Sequence, residues 1–237
     1  VYMRGSPNFH ISHLIKGNTF LNNTNAGIIM GLYSNGNTIE GNYFEGNNPG
    51  IYGMNVNHNL FSGNEFTDQR YAVYLYSGNY NNFTRNRFSG GEYGIFGRYM
   101  RYSYVWENIF LDNDYNAYET SDCVDNNWNL DIGNYWDDFE SNEGYPYHYK
   151  IPGNNTGTDW NPMLCPDLDG DGYGNPASEF CPYPELDCDD NNPNINPGME
   201  ELCRTPYDDN CNGIINEGCD EPGTGSPVFR KPVPFLT

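Results

Sequence analysis

Apolar and polar residues alternate in short segments over residues 1–132, and the pattern repeats along the chain. An Asn-x-Phe triplet recurs at residues 18–20, 42–44, 64–66, 86–88 and 108–110, at intervals of 24, 22, 22 and 22 residues. A small residue followed by an apolar one comes eight or nine positions after the asparagine of each triplet, and a second triplet, usually Asn-x-apolar, closes the unit. Such alternation is typical of strands with one buried face.

A period of 22 residues is too short for paired-helix repeats, and the leucine pattern of a horseshoe repeat is absent. It predicts a coil of about three short strands, each pairing in parallel with its copy in the next turn. The predicted fold is therefore all-β: a right-handed parallel β-helix of about six coils. Stacking in register would place Phe20, Phe44, Phe66, Phe88 and Phe110 in one interior column. The asparagines of the same triplets would stand at a corner, where their amides can bond above and below.

The composition excludes several classes of protein. The chain carries 11 Lys+Arg against 32 Asp+Glu, a formal net charge of −21, which disfavours binding to nucleic acids or anionic membranes. No apolar run approaches the roughly 20 residues that a membrane-spanning helix requires. Because 21 Tyr, 13 Phe and 4 Trp are too many for a chain that never packs, we expect a folded protein.

Six of the seven cysteines lie within 55 residues. They are Cys165, Cys181, Cys188, Cys203, Cys211 and Cys219. An even, dense set in an acidic segment rich in Gly, Pro and Asn predicts three disulfides and an oxidising compartment, although six cysteines allow fifteen pairings. Zinc is the weaker alternative, because there is no CxxC and no histidine after His148. Cys123 stands alone and is predicted to be a buried thiol or an intermolecular link.

The segment 133–164 contains the sequences GNYWDDF, YPY, IPGNN and NPML. It resembles the closing segment of a secreted parallel β-helix family, which includes the periplasmic copper-insertion accessory protein of nitrous oxide reductase and carbohydrate-active β-helices. The resemblance covers about residues 8–164 and implies that 133–164 caps the last coil and hides its sheet edge. The resemblance also implies a role in copper handling. His10, His13 and His58 are scattered and no Met cluster occurs, so the residues themselves argue against copper.

The acidic segment that follows carries the clearest chemistry. Residues 167–174 place carboxylates at loop positions 1, 3 and 5 and a glycine at 6, an arrangement of oxygen ligands that hard Ca²⁺ prefers. A second loop at 208–217 again gives side-chain oxygens at positions 1, 3 and 5 and a glycine at 6, and more carboxylates lie between the two loops. We therefore predict two or three Ca²⁺ sites. Their expected ligands are Asp167, Asp169, Asp171, Tyr173, Asp187, Asp189, Asp190, Glu201, Asp208, Asn210, Asn212, Ile214 and Glu217.

This run, through DxDGDGYG, DCDDNNPNINPG, EELC and DDNCNGIINEGC, resembles the aspartate-cysteine metal-binding motif of bacterial cell-surface proteins. The resemblance implies a Ca²⁺-dependent, disulfide-braced module over residues 165–220, with a departure from the motif at 204–207. The alternative is an acidic solvated loop. Residues 159–221 hold sixteen carboxylates and a single basic residue. Without counter-ions, these carboxylates would repel one another, which argues for bound cations.

Surface features leave the function open. An outward stripe of Ile29, Tyr52, Tyr74 and Phe96 is predicted to be a sugar-stacking platform, a protein contact face or plain solvated surface. Arg85, Arg87, Arg98 and Arg101 are expected to pair with acidic loops. Asn22, Asn82 and Asn154 head Asn-x-Thr sequons, which are possible glycosylation sites. With no Ser/His/Asp arrangement and no phosphate-binding loop, a non-enzymatic role is favoured without being decided.

The tail, residues 221–237, joins a Pro/Gly linker to an apolar, basic strip suited to docking on a neighbouring chain. The chain opens in the middle of a coil, which would leave an uncovered sheet edge. These features favour a secreted, extracellular or cell-surface structural protein that self-assembles into a filament, tube or surface layer stabilised by Ca²⁺. The alternatives are a secreted carbohydrate-binding or polysaccharide-processing β-helix protein and a periplasmic copper-handling accessory protein.

Overall fold

The computed structural model describes residues 1–5, 12–153, 157–203 and 205–219. These residues belong to two compact units, Val1–Leu168 and Asp169–Thr237. The predicted docking tail at 221–237, the sequon at Asn154, and His10 lie outside the described residues. The predicted boundary between the capping segment and the acidic module, at 164/165, falls four residues before the division between the units and stays a prediction.

The first unit is built from short strands that fall into three parallel sheets. The first sheet contains β1 (Tyr2–Met3), β4 (Ile28–Met30), β7 (Ile51–Met54), β10 (Tyr71–Tyr76), β13 (Tyr93–Arg98) and β16 (Tyr115–Glu119). The second contains β2 (Leu14–Lys16), β5 (Thr38–Glu40), β8 (Leu60–Ser62), β11 (Asn82–Thr84) and β14 (Tyr104–Trp106). The third contains β3 (Thr19–Leu21), β6 (Tyr43–Glu45), β9 (Glu65–Thr67), β12 (Arg87–Ser89), β15 (Ile109–Leu111) and β17 (Tyr135–Trp136).

Successive strands in the chain pass from one sheet to the next, so each of the first five coils contributes one strand to every sheet, and the last coil contributes to the first and third sheets. The register follows the sequence repeat, because Phe44 pairs with Phe66 and Phe88 with Phe110. The predicted parallel β-solenoid of about six coils is therefore confirmed. A 3₁₀ turn (Phe139–Ser141) and an antiparallel pair, β18 (Tyr149–Lys150) with β19 (Thr158–Asp159), complete the unit. Among the described residues, no helix has the length and apolar character needed to cross a membrane.

Columns of stacked rings fill the interior of the coils. The phenylalanine column predicted from the triplets is confirmed, since the ring centroids of Phe44 and Phe66 are 4.6 Å apart and those of Phe66 and Phe88 are 5.1 Å apart. These separations lie close to the roughly 4.8 Å spacing of paired strands, so the rings stack without disturbing the sheets. Phe44, Phe66 and Phe88 are fully buried.

The corner asparagines form a hydrogen-bonded ladder. Asn64 Oδ1 accepts hydrogen bonds from both the backbone N–H and the side-chain amide of Asn42, each at 3.0 Å. Its own Nδ2 donates to Asn86 Oδ1 at 3.0 Å and to the carbonyl of Ile39 at 2.8 Å. One side chain thus satisfies four polar groups that the turn would otherwise leave buried without a partner. This confirms the predicted role of the triplet asparagines.

The last coil is covered by an aromatic cluster from the segment 133–164. Trp136 stacks between Phe110, at 4.4 Å, and Tyr149, at 4.1 Å, and thereby extends the phenylalanine column by two rings. Asp159 is fully buried at the end of the asparagine ladder, where its carboxylate accepts hydrogen bonds from Asn134 N–H at 2.7 Å and Trp136 Nε1 at 2.9 Å. Burial raises the pKa of Asp159, although these hydrogen bonds oppose the shift.

Candidate metal centre

The second unit is made of turns that aspartate side chains hold in place. Asp169 Oδ1 accepts a hydrogen bond from the N–H of Asp171 at 3.2 Å, and Asp171 Oδ1 accepts one from the N–H of Tyr173 at 2.9 Å. In the middle segment, Asp187 Oδ1 accepts from the N–H of Asp189 at 2.8 Å. Aspartates favour such turns because their short side chains bond the backbone two residues ahead. These hydrogen bonds fix the orientation of the carboxylates.

Three predicted ligands come together in this unit. Asp169, Asp171 and Asp187 each place a carboxylate oxygen within 4.8 Å of the others. Asp187 is fully buried, and the other two are half-buried. Carboxylates this close repel one another when all are ionised, and a bound cation relieves the repulsion. Gly172, at φ +97°, supplies the left-handed residue that lets the loop fold back on itself.

The chemistry of the donors decides which metal fits this acidic cluster. Carboxylate oxygens suit hard cations such as Ca²⁺, whereas Cu(I) takes thiolate and thioether sulfur. Cys188 and Cys211 do lie beside Asp187. They form a disulfide with each other, however, and so offer no thiolate. Among the described residues, no histidine belongs to a group of three potential metal ligands.

The second predicted loop is closed by hydrogen bonds among its own ligand atoms. Asp208 Oδ2 accepts from the N–H of Gly213 at 2.6 Å, and Glu217 Oε1 accepts from the side-chain amides of Asn210, at 2.7 Å, and Asn212. The Asn210 amide holds the pKa of Glu217 below its usual value. The predicted ligands are therefore neighbours here. Within the described residues, however, they form no group of three carboxylates.

The remaining predicted ligands are distributed as follows. Glu201 accepts from the backbone N–H groups of Asp209 and Asn216, at 3.0 and 2.5 Å, and so ties the second loop to the segment before it. Asp190 is buried, and Asp189 is half-buried. Tyr173 stacks on Tyr183 at 4.7 Å. The side chain of Ile214 is exposed, and Asp167 is half-buried near the end of the first unit.

Sequence reasoning missed two residues that support the acidic cluster and the second loop. Asn196 Nδ2 donates to Asp171 Oδ2 at 2.7 Å and so orients one carboxylate of the cluster. Asp209 is buried and accepts from Thr205 Oγ1 at 2.7 Å and from the N–H of Leu202 at 3.2 Å. The repeated asparagines of residues 191–196 were the available signal for Asn196. The sequence spacing does not indicate that Asp209, rather than the adjacent Asp208, is the aspartate that supports the second loop.

All six clustered cysteines are disulfide-bonded, which confirms the predicted disulfides and removes the zinc alternative. Cys188 pairs with Cys211, and Cys203 pairs with Cys219. Cys123 is a buried thiol in the first unit, and its Sγ donates to the Gly97 carbonyl at 3.3 Å. Burial, and then the negative charge of Glu119, raise the pKa of Cys123 to about 11.

The predicted outward stripe keeps one position on consecutive coils, because Tyr52 pairs with Ile29 and Tyr74, and Tyr74 with Phe96. Neighbouring rings meet edge to face, at 5.4 Å for Tyr52 with Tyr74 and 5.0 Å for Tyr74 with Phe96. Each of the three rings is half-buried. Of the sequon asparagines, Asn22 is exposed and Asn82 is half-buried.

Fold and site together define a β-solenoid protein with an appended module rich in carboxylates and disulfides. The family model described as "Periplasmic copper-binding protein (NosD)" matches residues 1–141, more than half of the chain, so the chain belongs to the NosD family. A second model, described as "Putative metal-binding motif", matches residues 187–217. The family and the disulfides both indicate a location outside the cytoplasm.

Comparison with solved structures and curated proteins adds no functional information. A plasmid-mediated fluoroquinolone resistance protein shares 12% identity, with 53% of this chain and 74% of that chain covered and a TM-score of 0.14. No curated protein matches the sequence.

Proposed function

We propose that this chain is a metal-handling accessory protein of the periplasm, with the β-solenoid as scaffold and the second unit as the metal-binding part. The observation that carries the proposal is the convergence of Asp169, Asp171 and Asp187 within 4.8 Å of one another, with one of the three fully buried. Membership of a family described as periplasmic and copper-binding supports both the compartment and the metal-handling role.

Two metals are candidates for different reasons. The oxygen-only acidic cluster favours Ca²⁺ as the resident ion of the second unit. The family description favours copper as the metal that is handled, and it weighs against the sequence-based interpretation, in which the scattered histidines disfavour copper. Cu(II) accepts oxygen ligands and binds most tightly of the first-row divalent ions to a given site, so the same carboxylates also offer it ligands.

A metal titration of the purified chain tests the proposal. Binding of Ca²⁺, of Cu(II), and of Cu(I) under reducing conditions that spare the disulfides is measured calorimetrically for the wild type, Asp187→Asn and Glu179→Gln. The two variants change the net charge equally, but Glu179 is exposed and lies outside the acidic cluster. We expect Asp187→Asn to weaken binding of the resident ion by about tenfold or more, the equivalent of roughly 1.4 kcal/mol, and Glu179→Gln to leave it unchanged.

The outcomes separate the candidates. Tight Ca²⁺ binding that depends on Asp187 supports Ca²⁺ as the resident ion, whereas Cu(II) binding that depends on Asp187 and survives millimolar Ca²⁺ assigns the cluster to copper. Copper binding that both variants retain would place the copper site elsewhere in the chain. Failure of the wild type to bind any of the three ions would disprove the proposal.

A further inference from the structure

A cavity of about 300 Å³ opens at the corner where the chain passes from the first sheet to the second. It is lined by Asn55, Tyr76, Ser77, Asn79, Tyr99 and Arg101, and is called the corner pocket below. All six residues come from three consecutive coils of the first unit. The pocket lies outside the acidic cluster, and the metal-handling proposal does not use it.

Regular backbone builds the pocket. Asn55, Ser77 and Tyr99 directly follow β7, β10 and β13, and all three adopt left-handed conformations, with φ of 52°, 60° and 53°. This conformation bends the chain at the same point of each coil. Hydrogen bonds between coils hold the bend, from Asn55 N–H to the Tyr76 carbonyl at 3.0 Å and from Ser77 N–H to the Arg98 carbonyl at 2.8 Å. The pocket is therefore preformed on a rigid support.

Two arginines give the pocket a local positive charge. The Arg98 guanidinium lies 5.5 Å from the centre of the Tyr76 ring and 5.6 Å from that of Tyr99, and Arg101 lines the cavity itself. Neither arginine forms a salt bridge with a carboxylate of the described residues. Arg85, in contrast, pairs with Glu107 at 3.0 Å, as the sequence predicted for this whole group of arginines. In a chain of net charge −21, arginines without a carboxylate partner mark a place where an anionic ligand is favoured.

The pocket also holds a buried hydrogen-bond acceptor. The amide oxygens of Asn35 and Asn57 each accept from the backbone N–H of the equivalent residue one coil later, Asn57 at 2.8 Å and Asn79 at 3.1 Å. The next equivalent residue is Arg101, whose N–H donates to the Gly78 carbonyl instead. Among the described residues, Asn79 Oδ1 consequently has no donor. A rotation of the Asn79 side chain toward the cavity would let a ligand hydroxyl donate to this oxygen, because hydroxyls both donate and accept.

We propose that the corner pocket binds an acidic sugar, such as a uronate unit of a polysaccharide. Arg98 and Arg101 would bind the carboxylate, since guanidinium groups match carboxylate geometry in pairs of hydrogen bonds. Ser77 and Asn79 would bind ring hydroxyls. Tyr76 and Tyr99, whose rings meet at 74° and 5.5 Å, would supply the apolar wall for the C–H face of the sugar ring. The cavity is large enough for a small ligand with few polar contacts.

The test uses the full chain in buffer containing EDTA, so that metal ions bridging the sugar to the second unit cannot contribute. Calorimetry compares tri-galacturonate with its fully methyl-esterified form, which has the same rings and linkages without the negative charges. The variants are Arg98→Gln and Arg101→Gln, with Arg85→Gln as the matched loss of a surface charge. Melting curves of the three variants confirm that each is folded.

We expect tri-galacturonate to bind and its methyl ester to bind at least about tenfold more weakly, because the ester lacks the negative charge that strengthens hydrogen bonds from guanidinium groups. Arg98→Gln and Arg101→Gln should each lower the affinity about tenfold, and Arg85→Gln by less than about twofold. Equal binding of acid and ester, equal loss in all three variants, or no binding by the wild type at millimolar ligand would each overturn the proposal. Self-association that the two pocket variants abolish, without sugar binding, would assign the pocket to acidic groups of a second copy instead.

Discussion

At the scale of single residues, the solenoid depends on side chains that serve two coils at once. Asn64 is 1% exposed and bonds groups on the coil before it and on the coil after it. Asn18 begins the same ladder and is exposed, and within the described residues its side chain acts only as a hydrogen-bond donor. The same residue type therefore has different energetic weight at the two positions.

We expect Asn64→Ala to lower the free energy of unfolding by about 3 kcal/mol, because several buried polar groups lose their partner and each costs roughly 1–3 kcal/mol. Asn18→Ala, the matched control, should cost less than about 1 kcal/mol, since its loss exposes its partners to water. Urea unfolding of both variants measures the difference. Equal costs would show that the ladder does not stabilise the interior coils.

The Cys123 thiol should be almost inert in the folded protein. With a pKa of about 11, roughly one thiol in a thousand is ionised at pH 8, and burial also blocks access of reagents. We expect Ellman's reagent to modify Cys123 at least about a hundredfold faster in urea than in native buffer. The disulfides, kept oxidised, leave Cys123 as the reacting thiol. Fast labelling of the native chain would contradict the buried position.

At the scale of elements, the capping cluster joins the end of the third sheet to the pair of β18 and β19. Asp159 is its polar centre, because it bonds both the last asparagine of the ladder and the indole of Trp136. A carboxyl group whose pKa is raised by folding holds its proton more tightly in the folded state. Its contribution to the free energy of unfolding is therefore largest below its unfolded pKa and is lost as the pH rises through its folded pKa.

We expect Asp159→Asn to destabilise the first unit, because an amide nitrogen would face the donors that now bond the carboxylate. We also expect the deficit relative to wild type to shrink as the pH rises above the ordinary pKa of an aspartate, since burial raises the pKa of Asp159. Urea unfolding across this range measures it. Asp131→Asn, at an exposed position, is the control. A deficit that grows with pH would show that hydrogen bonds to the ionised form outweigh burial.

The elements also show what sequence could and could not predict. The period of 22 residues predicted the strands, their register and the Phe44–Phe66–Phe88 stack. It could do so because residues one repeat apart lie on top of each other in a solenoid. The second unit has no such repeat. Asp169, Asp171 and Asp187 could still be predicted as metal ligands, because the spacing of aspartates in a turn is visible in the local sequence. The roles of Asn196 and Asp209 depend on contacts between distant segments, which spacing does not encode.

At the scale of the whole molecule, the chain divides into two units with different sources of stability. The first buries a continuous apolar core, and the second relies on disulfides and, in our proposal, on a bound cation. A ligand at a hundred times its dissociation constant stabilises the folded state by about 2.7 kcal/mol. Removal of the metal should therefore lower the stability of the second unit and leave that of the first unit unchanged.

We expect scanning calorimetry to resolve two transitions and EDTA to lower only one of them, with Ca²⁺ restoring it. Asp187→Asn should show the lowered transition even in Ca²⁺, whereas Glu179→Gln should behave as wild type. The buried core of the first unit contains no residue of the cluster, so its transition should not move. A chelator that shifts both transitions equally, or neither, would contradict this division.

Self-assembly, polysaccharide binding and the absence of nucleic-acid binding remain predictions from the sequence. Sedimentation velocity with and without Ca²⁺ measures the first of these. A single monomeric species under both conditions, at concentrations up to about 100 µM, would exclude the filament hypothesis at affinities tighter than that range. The corner-pocket titration addresses the second.

The coil repeat has a consequence for how such a chain can change its length. Residues 64–85 begin and end at equivalent points of consecutive coils, so their excision would join Gly63 to Asn86 in the register that Asn64 now holds. The coils on either side of the excised one would then contact each other through the same kinds of ring, amide and strand that they contact now. The solenoid can therefore lose or gain whole coils without changing its contacts. An insertion of half a coil would instead pair each side chain with a residue from a different sheet.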